Sequence, residues 1–215
     1  MSQETQKEEI TVTQFLDAVA SGSATPGGGS VSALAGCLGS ALVEMVANLT
    51  LKKKAFSAHE ADVKRIFEEA HSHREALTFA IAQDIAAYQE VIKAYLLPKT
   101  NEEEKKKRKE EIQKALKRAA DPPLFTAVTS LKVMKLCQKA LEKGNPNAAS
   151  DAAVGALMAD AALGGGILNV LINLSALDDK KYVQKMKKEL RRLQREGEKI
   201  KEQIMALVNA RINSK

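Results

Sequence analysis

The run "SATPGGGSVSALAGCLGSALVEMVANLT", Ser23 to Thr50, sets three glycines behind a proline and then stays apolar for about five helical turns. Glycine in a helix interior costs roughly 1 kcal/mol relative to alanine, so Gly36 and Gly39 need an offset that only a missing side chain supplies. Close approach of another backbone is that offset. A second apolar run, Asp151 to Leu177, has a matching pattern: Asp151, Gly155, Ala159, Ala162, Gly166, Asn169 and Asn173 recur at threes and fours and share one helix face. The first helix offers Ser32, Gly36, Gly39, Val43 and Ala47 as the complementary small-residue face. The expectation is a tight helix pair, within one chain or between two, with polar residues at the ends of the contact lining whatever opens there.

Apolar residues make up 45% of the 215 residues but aromatics only 4%, and tryptophan is absent, so alanine, leucine, valine and isoleucine must do the packing. That points to an all-α fold. No break in composition divides the chain, which reads as a single-domain bundle of long helices spanning 11–215 behind a disordered tail, 1–10. Thr11 or Thr13 caps a short first helix. The glycine-studded helix runs to about Thr50, a third from about Ala58 to Leu97 before Pro98, and a charged one from Thr100 or Asn101 to about Ala120. "DPP" breaks the chain and opens a fifth helix that stops at "GNPN"; the sixth spans Asp151 to about Ala176. The last, to about Asn213, is amphipathic through Val183, Met186, Leu190, Leu193, Ile200, Ile204 and Leu207, with Gly197 filling one slot.

Several function classes fall away. The formal charge of +6 would permit nucleic-acid binding, but lysines alternate with glutamates in "NEEEKKKRKEE" and "KMKKELRRLQREGEKIKEQ", the mark of solvated helix faces, and stacking aromatics are scarce. Cys37 and Cys137 lack any paired spacing, so neither a disulfide framework nor a zinc site is expected. The polar N-terminus lacks signal-peptide order, and a cytoplasmic protein is expected. Glu44 and Asn48 interrupt the first apolar run, and Asp160, Asn169 and Asn173 the second, which argues against membrane insertion.

Leu77, Ile81, Asp84, Tyr88, Val91 and Tyr95 form a stripe spaced four, three, four, three, four, placing the Asp84 carboxylate on a face that should be buried. Two roles are open to it: a structural aspartate satisfied by a neighbouring helix, or an acid whose pKa is raised by desolvation and which moves protons near neutral pH. Glu44 and Asn48 sit one turn apart and could share a partner. "PGGGS" presents free N–H groups at a helix N-terminus and could hold an anion, although it lacks the lysine and spacing of a phosphate loop. His59, His71 and His73 lie among charged residues and are expected to face solvent.

Three segments in order, "FLDAVASGSATPGGGSVSALAGCLGSALVEMVANLT", "DIAAYQEVIKAYLLPK" and "SDAAVGALMADAALGGGILNVLINL", resemble the formiminotransferase-cyclodeaminase family, specifically its cyclodeaminase domain and the related stand-alone methenyltetrahydrofolate cyclohydrolases. The similarity runs from about Val12 to Leu207. It implies an all-helical domain that pairs into homodimers and binds a tetrahydrofolate derivative as substrate, with no metal, in a cleft near the helix contact. Asp84 matches the aspartate of a D-x-x-A-aromatic segment, here Asp84, Ala87 and Tyr88, which implies a general acid/base facing a cationic carbon, with Tyr88 among the substrate contacts. Folates carry glutamate carboxylates, often several, for which the resemblance offers Lys53, Lys54 and Lys99; Asn48, Asp151, Asn169 and Asn173 would hydrogen-bond the pterin. The chain departs from the family after "NLT": Lys52 stands where a glycine is usual, Ala55 for a third lysine and Phe56 for a tyrosine. With no transferase domain alongside, the expected activity is interconversion of 5,10-methenyltetrahydrofolate and 10-formyltetrahydrofolate. The alternatives are cyclodeamination of 5-formiminotetrahydrofolate and a non-catalytic helical scaffold.

Overall fold

A computed structural model describes residues 10–213; apart from Ile10, the expected tail lies outside the described residues. The fold is all-α: a short α1 (Val12–Ala20) and six long helices, α2 (Gly28–Leu51), α3 (Glu60–Tyr95), α4 (Glu102–Ala119), α5 (Asp121–Lys143), α6 (Ala149–Ser175) and α7 (Lys180–Asn213). Local chemistry sets the boundaries. Thr11 and Gln14 close a capping box on α1, and the Asn101 side chain accepts from the Glu104 amide at the start of α4. Glu102 to Glu104 begin α4 and Lys117 and Arg118 end it, the order that the helix dipole favours. "DPP" opens α5 as expected, and the break before it is short: Ala120 keeps a right-handed helical backbone and is a one-residue joint between α4 and α5, because Pro122 and Pro123 fall in a first turn that needs no N–H.

α2 and α6 run antiparallel at the centre, and their backbones touch. A Cβ on Gly39 would stand 2.7 Å from the Gly155 carbonyl oxygen, and one on Gly165 would overlap the Ser32 hydroxyl. Gly36 corrects the expected face: it turns toward Leu77 of α3 and Ser130 of α5, because α2 is surrounded by three helices rather than one. Leu77, Met134, Leu141, Val170, Leu174 and Leu193 are buried in the core between these helices. α7 lays Leu190, Leu193, Ile200, Ile204 and Val208 against it, and Gly197 makes room for Leu163.

Glu44 is 9% exposed and fully engaged, accepting from Arg74 Nε at 2.6 Å and Nη2 at 3.2 Å, with His71 Nδ1 at 3.2 Å. Asn48 does not share this partner. His71 is thereby drawn partly inward, and burial pushes the pKa of His73 down, so of the three histidines only His59 is fully exposed as expected. Cys37 and Cys137 are buried free thiols, the second pushed up to about 12 by desolvation.

α2 and α6 are long and apolar enough to cross a membrane by length and composition alone, with 61% and 44% of their apolar windows buried in the bundle. Their outer faces expose Val31, Leu38, Met45 and Leu49 on α2 and Val154, Leu157, Leu168 and Ile172 on α6.

The backbone contact at Gly39 predicts that Gly39→Ala lowers the unfolding free energy by about 2 kcal/mol in urea titration, overriding alanine's better helix propensity. Gly197→Ala is expected to change it by less than about 1 kcal/mol, since the tip of the Leu163 side chain can move aside.

Candidate active site

The glycine loop before α2 meets α3 and α6 at one end of the bundle, and a cavity of about 290 Å3 opens there. Its walls are Thr25 and Gly27 to Gly29 from the loop and α2, Asp84, Tyr88 and Val91 from α3, Ala119 from α4, and Asn169, Ile172 and Asn173 from α6. A larger groove of about 500 Å3 between α5 and α7 has Leu124 and Met186 among its apolar residues and Lys185, Lys188, Arg192 and Arg195 among its charged ones. The groove's one carboxylate, Glu189, is paired with Arg192. The smaller cavity, which holds a carboxylate without an ion-pair partner, is the candidate site.

Asp84 lies where its stripe leaves the core: Leu77 is fully buried and Val91 9% exposed, whereas Tyr88 and Tyr95 are 39% and 44% exposed. Its Oδ2 accepts from the Ser30 hydroxyl at 2.9 Å, and the Ser30 backbone N–H also donates to the carboxylate. α2 has no side-chain cap of its own, so Asp84 from α3 caps it instead. Gly29 permits the approach, because any Cβ there would collide with the carboxylate. Two effects oppose each other. Desolvation raises the pKa of Asp84 and the Ser30 donors lower it; desolvation is larger, and the pKa stands above the ordinary aspartate value. Asn169 Nδ2 donates to the Gly165 carbonyl at 2.8 Å, and Asn173 Nδ2 to the carbonyls of Ala119 at 3.1 Å and Asn169 at 2.9 Å. These bonds fix both carboxamides with an Oδ1 left over as acceptor.

Of the residues expected at the site, the structure brings together Asp84, Tyr88, Asn169 and Asn173. It places the others elsewhere. Lys53 and Lys54 follow the far end of α2, roughly 35 Å along its axis from Gly29 at a rise of about 1.5 Å per residue, and Asn48 is exposed on the last turns of the same helix. Asp151 is in the first turn of antiparallel α6, roughly 27 Å from Asn169. Lys99 is exposed in the loop after α3 and does not line the cavity. Ser30, Gly29 and Ile172 were not anticipated at the site. "PGGGS" carried the signal for the first two: the anion held at that helix N-terminus is the chain's own Asp84.

Comparison with known proteins gives a consistent result. Residues 11–192 match the family model described as formiminotransferase-cyclodeaminase. A methenyltetrahydrofolate cyclohydrolase of Methylorubrum extorquens is 42% identical over 203 residues, 94% of this chain and 98% of that protein. A formimidoyltransferase-cyclodeaminase of Gallus gallus is 32% identical over 92% of this chain, which covers 36% of it. The crystal structure of a formiminotetrahydrofolate cyclodeaminase from Thermotoga maritima superposes with a TM-score of 0.86 at 32% identity, covering 95% of this chain and 98% of that one.

Ionising a desolvated Asp84 opposes folding, which fixes the sign of a stability test. With the folded pKa raised, the penalty is absent below the ordinary aspartate value, grows as pH rises toward the folded pKa, and is constant above it. Asp84→Asn keeps an acceptor for Ser30 and removes the charge. Its melting temperature is expected to equal or exceed that of the wild type at pH 7, by a few degrees at most, and any gain disappears in acid; calorimetry across pH checks this.

Proposed function

The chain belongs to the formiminotransferase-cyclodeaminase family, and from that footing we propose that it is a methenyltetrahydrofolate cyclohydrolase with Asp84 as its general acid/base. Membership supplies the substrate class, a tetrahydrofolate carrying a one-carbon unit between N5 and N10. The half-buried carboxylate held by Ser30 at the α2 N-terminus is the observation that carries the role of Asp84.

The reaction needs a proton carrier beside a cation. Water adds to the carbon between N5 and N10 of 5,10-methenyltetrahydrofolate as Asp84 takes one of its protons, giving a neutral tetrahedral carbon. The bond from that carbon to N5 breaks with its electron pair going to N5, which takes the proton back from Asp84. The remaining hydroxyl proton leaves to solvent, and the carbon becomes the formyl group on N10. The sum is methenyl cation plus water giving 10-formyltetrahydrofolate plus one proton. Before water adds, ionised Asp84 faces the amidinium-like carbon and stabilises it. Asn169 and Asn173 offer their free Oδ1 atoms to pterin N–H groups, and the exposed ring of Tyr88 gives a flat wall for the bicycle.

A second reading has its own support: the Thermotoga maritima structure, with which this fold superposes, is that of a formiminotetrahydrofolate cyclodeaminase. There N10 adds to the formimino carbon and ammonia leaves from the same kind of tetrahedral centre, so one carboxylate serves either path.

The same reading includes a homodimer formed through the outer faces of α2 and α6. Val31, Leu38, Met45 and Leu49 recur along one and Val154, Leu157, Leu168 and Ile172 along the other, an uncovered apolar surface the length of both helices. A second copy of the same surface is a cover that buries both at once.

Purified protein added to 5,10-methenyltetrahydrofolate is expected to accelerate loss of its near-ultraviolet band over the spontaneous rate, with Asp84→Asn slower by about 100-fold or more. The rate should fall as pH drops through the raised Asp84 pKa, because the base form is consumed. No acceleration, with ammonia released from 5-formiminotetrahydrofolate, would transfer the assignment to the cyclodeaminase; an Asp84→Asn variant as active as wild type would remove Asp84 from the mechanism. Sedimentation should give a dimer, which Leu38→Asp with Leu168→Asp dissociates.

A further inference from the structure

Among the buried hydroxyls of α2, that of Ser30 has an unusual acceptor. A serine or threonine inside a helix ordinarily donates to a carbonyl one turn back, as Ser32 does to Gly28 at 2.6 Å and Thr50 to Val46 at 2.7 Å. Ser40 donates to a carbonyl of α3, that of Ala70, at 2.7 Å. Ser30, fully buried, donates to the Asp84 carboxylate instead, and it is the only side-chain donor to that carboxylate among the described residues. Nothing else in the cavity competes for this place. Asn169 and Asn173 direct their carboxamide nitrogens at backbone carbonyls, and no charged side chain among the described residues acts on Asp84 from α2, α4 or α6. Tyr88, one turn along α3, is the other titratable side chain among the lining residues.

The two oxygens of Asp84 are consequently unequal. Oδ2 is held by the hydroxyl at 2.9 Å. Oδ1 has no side-chain donor and fills the place where Gly29, a residue of the cavity wall, would carry a Cβ. The bond to Oδ2 survives a change of protonation, because Oδ2 accepts both in the carboxylate and as the carbonyl oxygen of an acid protonated on Oδ1. Protonation on Oδ2 would force the Ser30 hydroxyl to give up its donation at a fully buried position.

We propose that Ser30 is a positioning residue for the proton transfer: by holding Oδ2 of Asp84 in both protonation states, it makes Oδ1 the oxygen that takes the proton from water and returns it to N5. This rests on the folate reading above and adds to it which oxygen reacts and what aims it. One proton goes on and the same proton comes off, so the carboxyl group need not rotate between the two steps. The hydroxyl has a second effect. It favours the ionised form against the desolvation of Asp84, and so sets how far into acid the enzyme keeps its base.

Ser30→Ala and Ser30→Cys test this in the full chain, the second keeping the side chain's shape with only a weak S–H donor. With 5,10-methenyltetrahydrofolate, kcat of both is expected to fall about tenfold or more while KM stays within about twofold. The acid limb of the kcat profile should move up by about one pH unit, because a donor to the ionised form is lost. The carboxyl carbon NMR resonance of Asp84, identified by its absence from Asp84→Asn, should titrate at correspondingly higher pH in the free Ser30→Ala protein. A Ser30→Cys variant as active as wild type would show that shape alone matters, and would overturn the proposal. So would an acid limb unmoved in Ser30→Ala, whatever happens to the rate, or a raised KM with kcat unchanged. The carboxyl titration needs no turnover. If wild-type protein turns over neither folate substrate, the failure is in the functional reading on which this proposal stands, whereas an Asp84 resonance that titrates alike with and without the Ser30 hydroxyl overturns the proposal itself.

Discussion

Two backbones in contact with no side chain between them, at Gly39 and Gly155, set the level of everything around them. Along the same crossing Gly165 admits the Ser32 hydroxyl, and Gly28 sits against the Asn169 carboxamide. These contacts lie at successive levels of two antiparallel helices, so one helix cannot slide along the other without forcing side chains into places built for hydrogen atoms. The glycines thus fix a register, and the register puts the bare N-terminus of α2 beside Asp84 on α3 and the two asparagines on α6. The cost in helix propensity, about 1 kcal/mol per glycine, is offset by packing, and the cavity is its by-product.

Glu44 and Asp84 are two acids of the central bundle in contrasting surroundings. Both are drawn out of water on helices of the central bundle. Glu44 has both oxygens occupied by Arg74, and His71 adds to one of them, a closed cluster with nothing left to offer a ligand. Asp84 receives only the neutral donors of Ser30 and the partial charge of a helix terminus, and one side of it is open to the cavity. No cation among the described residues balances it. Its pKa consequently rises above the ordinary aspartate value, because desolvation outweighs the Ser30 donors.

Periodicity told which face a residue occupies and left open at which level its neighbours stand. Asp84 could be placed on a buried stripe, and Asn169 and Asn173 at the end of a small-residue face, because both statements concern spacing within one helix. Uniting Asp84 with Ser30 required knowing that α3 passes α2 with residue 84 level with residue 30, a relation that no local pattern encodes. The same limit explains Lys53, Lys54, Asn48 and Asp151: roughly 25 to 35 Å along α2 or α6 separates each from the cavity end of the bundle. Arg74 could not be assigned to Glu44 for this reason too, and His71 went with it. The "DPP" joint was legible because its signal is local: proline ends one helix and is well placed in the first turn of the next, and the structure reduces the break to a single residue, Ala120.

α6 carries more apolar surface than one copy of the chain uses. A helix that is hydrophobic on most of its circumference belongs in an interior, yet only 44% of its apolar window is covered within the bundle, against 61% for α2. The uncovered part is continuous across both helices, and it ends at the residue, Ile172, that also closes the cavity. Covering that surface with a second copy would lengthen the cavity wall at the same time as it buried the surplus.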